Sequence, residues 1–186
     1  MPIPSREETL TGLFAAWRVL LRDGRAVALF DATPAGFWKS FFCAVVVLPP
    51  YVFLMWLVDA WGDDPAWGRV ILVEAIAYVI AWTAWPVLIA HIVPLLDRQD
   101  RYIRYIVAYN WSSGPQTLVW VAATLLSIAG LLPTPLGVVV LVVLLAYQTF
   151  IARVALEIAT LPAVALALSD FFLGHIVRAA RELLLQ

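Results

Sequence analysis

The chain has 186 residues, of which 63% are hydrophobic and 13% are charged, and its formal net charge is −1. Soluble domains are roughly a quarter charged, so this composition excludes an ordinary soluble domain, and the charge balance gives no sign of nucleic-acid binding. Several apolar runs approach or exceed the ~20 residues that a membrane-spanning helix needs, which predicts an all-α transmembrane helical bundle.

Residues 1–36 are predicted to form a cytoplasmic or interfacial segment with an amphipathic helix. Ser5 and Glu8 have the spacing of a capping box at a helix start. A helix of this kind can lie among the cytoplasmic lipid headgroups or dock on the end of the bundle, and the sequence leaves both alternatives open. The apolar stripe of this helix, which has arginines beside it, consists of Leu10, Leu13, Phe14, Trp17 and Leu21.

Five membrane spans are predicted within residues 37–178, followed by a short tail at 179–186. Gly114 and Pro115 predict a helix start with proline in the first turn, and Pro133 marks a tight turn. The segment "DRQDRYIRYIVAYN" (97–110), which precedes that start, is a second candidate for an interfacial helix. Span counts of four or six stay open as alternatives. The predicted spans cover residues 37–60, 69–93, 115–132, 136–157 and 161–177.

The distribution of basic residues predicts the orientation, because cytoplasmic connections are enriched in lysine and arginine. Nine of the twelve basic residues fall on the side of the N-terminus, which predicts a cytoplasmic N-terminus and an external C-terminus. The bias towards arginine is typical of a GC-rich bacterial genome and indicates a bacterial inner membrane. The nine residues are Arg6, Arg18, Arg22, Arg25, Lys39, Arg98, Arg101, Arg104 and Arg153.

One carboxylate, Asp170, falls near the middle of the fifth predicted span. Ala163, Ala167 and Gly174 share its helix face, and small residues at this spacing let another helix approach closely. We therefore expect Asp170 to face protein rather than lipid. Two roles stay open, which are hydrogen bonding that fixes helix packing and a proton or cation route through the carboxylate.

A route through Asp170 would need further polar groups along the bundle. Glu74 is the candidate at one mouth, where it is expected to reach water by itself, and His91 or Glu157 is the candidate at the other. Arg153 and Glu157 are four residues apart, which favours an ion pair at a helix end over a functional site.

The sequence contains no recognisable catalytic, metal or cofactor motif. HExxH, GxSxG and phosphate-binding glycine patterns are absent, and His91 and His175 have no ligand neighbours at metal spacing. The single cysteine, Cys43, lies in a predicted span, which excludes a disulfide framework. We therefore expect a non-enzymatic protein without a cofactor.

The order of the parts resembles the Yip1-like membrane proteins. The resemblance rests on "YIVAYNWSSGPQTLVW" (105–120), which enters the third predicted span, and on "YQTFIARVALEIATLPAVALALSDFFLG" (147–174), which joins the last two. It implies an integral membrane protein that acts as a scaffold, with membrane lipids and other membrane proteins or a second copy of itself as partners. The alternative is a small transporter or channel that uses Asp170.

Overall fold

The computed structural model describes residues 2–57, 67–131 and 133–185, and in residues 67 and 134–136 only the backbone. The connection between the first two predicted spans, which contains Asp63 and Asp64, and Asp59 just before it lie outside these residues. All secondary structure in the described ranges is helical, which confirms the all-α fold class. The seven α-helices are α1 (Arg6–Leu20), α2 (Pro34–Ser40), α3 (Phe42–Leu57), α4 (Trp67–Ile92), α5 (Tyr102–Ile128), α6 (Thr134–Leu156) and α7 (Thr160–Leu185).

Capping side chains begin the two N-terminal helices. The Ser5 hydroxyl accepts the Glu8 amide (3.2 Å) and the Glu8 carboxylate accepts the Ser5 amide (2.7 Å), which confirms the predicted capping box of α1. At α2 the Thr33 hydroxyl accepts the Gly36 amide (3.1 Å). Pro34 is the first residue of α2, where its missing amide leaves nothing unpaired.

The helices α3 to α7 alternate in direction and form the bundle. We call the end that carries α1, α2 and the α4–α5 and α6–α7 connections the near end, and the opposite end the far end. At the near end Arg104 of α5 binds Glu157, which follows α6 (2.8 Å). At the far end Arg69 of α4 donates to the carbonyl of Leu185 in α7 (3.2 Å). In this bundle α5 packs on α3 and α6, while α7 packs on α6 and α4.

Four of the described helical stretches are long and apolar enough to cross a membrane. In the most apolar 18-residue window of each, only 17–28% of the residues are buried inside the protein, so most of the apolar surface faces outward. These four stretches indicate a multi-pass membrane protein, and they match the first, second, fourth and fifth predicted spans. They are Pro34–Leu57, Gly68–Leu96, Gly137–Leu156 and Thr160–Leu185.

The predicted helix start at Gly114 and Pro115 is wrong, because α5 runs through both residues without a break. The segment 97–110, which was expected to form a separate interfacial helix, begins in the α4–α5 connection and continues from residue 102 as the first part of α5. Proline cannot bond the carbonyl four residues earlier. That carbonyl, of Trp111, accepts the Cys43 thiol instead, at an S···O distance of 3.9 Å. Tertiary contacts thus keep the helix continuous across the proline.

The middle of α5 is polar, with the run "NWSSGPQ" at residues 110–116. α5 is as long as its neighbours in the bundle, but it is not among the four apolar stretches. Whether α5 also crosses the bilayer therefore stays a prediction.

The predicted tail at 179–186 is helical as far as Leu185, because α7 extends beyond the fifth predicted span. Arg181 in this extension forms an ion pair with Glu74 of α4, which holds the end of α7 against the bundle. The last turns of α7 therefore belong to the bundle rather than to a separate tail.

The buried core is concentrated at the near end, where α1 and α2 add a layer outside the bundle. The far half of α5 has no such cover, and Leu118, Leu125 and Ile128 are exposed there. The core residues with 2% exposure or less include Ala15, Ala16, Val19, Trp85, Ile89, Tyr105, Ile106, Val107, Ile151, Ala155 and Leu156.

Candidate functional site

Asp170 lies in the first half of α7, on the side that faces the bundle. Ala163 and Ala167, on the same face, are buried. The phenol of Tyr109 in α5 donates a hydrogen bond to Asp170 Oδ1 at 2.9 Å. A tyrosine hydroxyl is thus the partner of this carboxylate, and the pair links α7 to α5.

An aromatic cluster from α4 and α5 surrounds Tyr109. Trp85 Nε1 donates to the Tyr105 hydroxyl at 2.9 Å. The ring centroids of Tyr105 and Trp85 lie 6.1 Å and 6.3 Å from that of Tyr109. Asp170 makes no ion pair within the described residues. The carboxylate therefore lies among neutral aromatic groups rather than charged ones.

The tyrosines of this cluster have a clear sequence pattern whose meaning was missed. Tyr102, Tyr105 and Tyr109 recur at helical spacing, which indicates a shared helix face but not what covers it. In the structure α4 covers part of this face, and the Tyr102 hydroxyl donates to the carbonyl of Pro86 (3.0 Å). The pattern marks a face that packs inside the protein.

Glu74 is buried, contrary to the prediction that it reaches water by itself. Its side chain is 7% exposed and forms an ion pair with Arg181, which is 14% exposed. The Tyr51 hydroxyl donates to Glu74 Oε2 at 3.2 Å. A carboxylate out of water needs such partners, because an unpaired buried charge strongly destabilises a fold. This cluster joins α3, α4 and α7 in the far half of the bundle.

Glu157 and His91 lie at the near end, away from Glu74. Glu157 binds Arg104 (2.8 Å) and Arg101 (3.1 Å), and the hydrogen bond from Arg104 holds the pKa of Glu157 below its ordinary value. His91 is exposed, with Nδ1 2.9 Å from the carbonyl of Val87 in its own helix. Neither residue shares a hydrogen bond with Asp170 in the described structure.

The predicted ion pair between Arg153 and Glu157 is wrong. Glu157 ends α6 in a left-handed backbone conformation, with φ 56°, so the two residues do not lie one turn apart on a continuing helix. The carboxylate meets Arg101 and Arg104 instead. Arg153 is exposed and has no ion-pair partner among the described residues.

The predicted acidic residues Asp170, Glu74 and Glu157 therefore lie in three separate clusters. No described hydrogen bond connects one cluster to another, and each cluster joins different helices. Within the described residues, no group of three or more His, Cys, Asp or Glu side chains could hold a metal ion. What the clusters do in this arrangement is link helices.

The small-residue face of α7 is shorter than predicted. Ala163 and Ala167 are 0% and 5% exposed. Gly174 is exposed, and a Cβ added to it would meet no atom within 4 Å. The packing face of α7 therefore includes both alanines but not Gly174.

The helix α1 has a buried face that is distinct from its apolar stripe. Four of the five predicted stripe residues point outward, and their exposed fractions are 56% for Leu10, 57% for Phe14, 48% for Trp17 and 65% for Leu21. We call these four residues the outer stripe. Leu13 alone is partly buried. The buried face consists of Gly12, Ala15, Ala16 and Val19.

Close backbone contact holds α1 on the bundle. A Cβ added to Gly12 would lie 2.6 Å from the Trp111 ring of α5, so glycine is what lets the helix approach. The Tyr147 hydroxyl of α6 donates to the Ala16 carbonyl at 2.8 Å. α1 is therefore docked on α5 and α6, while the outer stripe remains uncovered. Sequence reasoning missed the buried face because glycine and alanine do not stand out as core residues.

A cleft of about 510 Å³ opens beside α1 and α2 at the near end. Its charged residues include Glu7, Glu8, Asp31 and Lys39, and Lys39 Nζ lies 2.5 Å from Glu8 Oε1. Ser5, also in the lining, is occupied as the cap of α1. The lining thus offers one ion pair, two further carboxylates and a hydroxyl that is already occupied as a helix cap.

No protein-family model, no curated protein sequence and no solved structure matches this chain.

Proposed function

We propose that this chain is a non-enzymatic integral protein of a bacterial inner membrane that acts as a scaffold, binding other membrane proteins or a second copy of itself and organising lipid. In this proposal α5 crosses the bilayer as a fifth span and the near end is cytoplasmic. The layout is the one that the Yip1-like resemblance implies.

The observation that carries the proposal is the outward apolar surface. Four long helical stretches bury only 17–28% of their most apolar windows, and the outer stripe of α1 adds an uncovered apolar face. Surfaces of this extent mark contacts with lipid or with other proteins. The interior polar groups, in contrast, are engaged in links between helices, as at Asp170 and Glu74.

We further propose that α1 lies among the cytoplasmic headgroups. Docking by its Gly12 face and exposure of its outer stripe are compatible, because the two faces lie on different sides of the helix. The two alternatives that the sequence left open, docking and lipid contact, then both apply. An interfacial helix buries an apolar face at the boundary of headgroups and acyl chains.

The test of the scaffold is purification from native membranes in mild detergent, with the tag at either end of the chain in separate preparations. A scaffold should retain a partner, or a second copy, in constant ratio in both preparations. Purification as a monomer from both would argue against this role.

A second candidate function, transport of protons or cations, is favoured by one observation. Asp170 is held in the interior by a hydroxyl rather than by a cation, and intramembrane carboxylates of this kind occur in proton relays. The separation of Asp170 from the clusters of Glu74 and Glu157 favours the scaffold. Flux measurements on Asp170 variants, described in the Discussion, discriminate between the two.

A further inference from the structure

Arg22 ends α1 in a backbone conformation that normally favours glycine. The turn has the two hydrogen bonds of a Schellman motif, from the Arg22 amide to the Val19 carbonyl (2.9 Å) and from the Asp23 amide to the Arg18 carbonyl (3.0 Å). Arg22 occupies the left-handed position of this motif, with φ 69°. Glycine adopts that conformation without a steric penalty, whereas a side chain does not. An arginine at this position suggests that the side chain has a use.

The chain offers an internal comparison at Glu157. That residue is also left-handed and not glycine, and its carboxylate binds two arginines. The Arg22 guanidinium instead lies over the ring of Phe150 in α6, 5.2 Å from the centroid. It is exposed and forms no ion pair with a described residue. Its charge is therefore available to an external anion.

Arg153 adds a second positive charge on the face of α6 that carries Phe150. It follows Phe150 by three residues in α6, a spacing that places their Cβ atoms about 5–6 Å apart on one face. Like Arg22, it is exposed and has no described ion-pair partner. Gly24, two residues after Arg22, lets this turn lie close to α6, since a Cβ there would lie 3.2 Å from Val154. Arg22, by its contact with the ring, and Arg153, by its position on the same helix face, thus place two positive charges on the surface around Phe150.

The nearest acid along the chain does not neutralise these charges. Asp23 follows Arg22 directly, but its carboxylate is paired with Arg18. Two positive charges without acidic partners on one surface attract an anion. Guanidinium groups bind phosphate oxygens particularly well, through paired hydrogen bonds.

The surface beside this pair is apolar. Trp17 and Leu21, the last two residues of the outer stripe, are 48% and 65% exposed and lie within two turns of Arg22. A ligand that fits both parts carries a phosphate next to an acyl chain. We propose that Arg22, Arg153 and the end of the outer stripe form a binding site for anionic phospholipids of the leaflet at the near end.

This inference rests on the proposed function, because it requires α1 to lie at the bilayer surface. The test is native mass spectrometry of the full-length protein in detergent, with phosphatidylglycerol or phosphatidylcholine of identical acyl chains. The wild type should retain several-fold more phosphatidylglycerol. Arg22→Gly and Arg153→Gln should each reduce that preference towards the phosphatidylcholine level.

Two controls separate a lipid site from damage to the fold. Arg22→Gly should unfold at no lower temperature than the wild type, because glycine suits the left-handed position. Arg178→Gln removes an exposed arginine of α7 away from the near end and should leave the lipid preference unchanged. An unchanged preference for phosphatidylglycerol in both Arg22→Gly and Arg153→Gln would overturn the proposal. An equal loss of that preference in Arg178→Gln would overturn it too.

A third arm distinguishes lipid from free phosphate. Glycerol phosphate at the same concentration should compete weakly, because it lacks the acyl chains that contact Trp17 and Leu21. Equal competition would replace the lipid with a soluble anion and overturn the proposal. Extraction of native membranes with alkaline carbonate tests the proposed function separately. A protein that stays in the membrane but shows no lipid preference refutes this inference alone.

Discussion

The hydrogen bond between Tyr109 and Asp170 crosses between α5 and α7, and it leads to opposite expectations for the two candidate functions. Asp170→Asn keeps an oxygen that can accept from Tyr109, so a packing role predicts an unchanged fold. Asp170→Leu removes the acceptor and should lower the free energy of unfolding by about 1–2 kcal/mol, the order measured for hydrogen bonds between membrane helices. Measurement of the free energy of unfolding in detergent tests both variants.

A transport role makes asparagine as harmful as leucine, since neither side chain carries a proton. The measurement is pH-dependent flux into proteoliposomes that contain equal amounts of wild type and Asp170→Asn. We expect no flux from either protein. Flux in the wild type that disappears in the asparagine variant would contradict the scaffold.

The ion pair between Glu74 and Arg181 should be the most sensitive polar contact in the far half. Arg181→Ala leaves the Glu74 carboxylate buried without its cation, and removal of one partner of a buried pair destabilises proteins by about 3–5 kcal/mol. Replacement of both residues by leucine should be less harmful than the single change. Thermal unfolding of the three proteins, with Arg178→Ala as the exposed control, tests this order. An Arg181→Ala protein as stable as the Arg178→Ala control would refute this expectation.

These residues show how far a sequence can specify a polar site. The sequence alone identifies Asp170 as a polar site, because a charged residue is rare within an apolar helix. The sequence does not identify Tyr109 as its partner, because the spacing of Tyr105 and Tyr109 is the same for a buried helix face and for one at the membrane surface. The Arg153–Glu157 pair failed for a local reason, since Glu157 leaves the helix in a left-handed turn that the spacing does not reveal.

At the scale of elements, the docking of α1 depends on the close approach of Gly12 to α5. Gly12→Leu places a side chain where the Trp111 ring lies, 2.6 Å from the added Cβ, so α1 should leave the bundle. The expected result is rapid proteolysis or hydrogen exchange within residues 6–20. Gly174→Leu is the matched control, because nothing lies within 4 Å of the Cβ added there. Unchanged protection of α1 in Gly12→Leu would refute the contact.

The sequence predicts helix ends correctly where the signal is local. The predictions were wrong where contacts between helices determine how far a helix extends. The capping box of Ser5 and Glu8 acts within one turn, and it begins α1 as predicted. Pro115 carries an equally strong local signal, yet α5 continues through it, and the Trp111 carbonyl that the proline leaves without its helical donor accepts the Cys43 thiol of α3. α7 likewise continues past its predicted end because Arg181 finds a partner on α4.

For the whole molecule, the alternating directions of α3 to α7 place the near-end segment and the end of α7 at opposite ends of the bundle. With five spans, reporter fusions at residue 30 and after residue 186 should report opposite sides of the membrane, with residue 30 in the cytoplasm. Reporters on the same side would contradict five spans and imply that α5 or another helix does not cross.

The docking surface of α1 also sets an order of assembly during synthesis. Its two main contacts, Trp111 and Tyr147, lie far along the chain, and the hydrogen bond from Tyr147 to Ala16 spans 131 positions. Because α1 is made before α5 and α6, it has no complete partner until α6 has been made. Until then its small-residue face and its outer stripe are both open, and the bilayer surface is the nearest apolar medium that can hold them. Although α1 is made before both of its partners, it reaches its final place only after them.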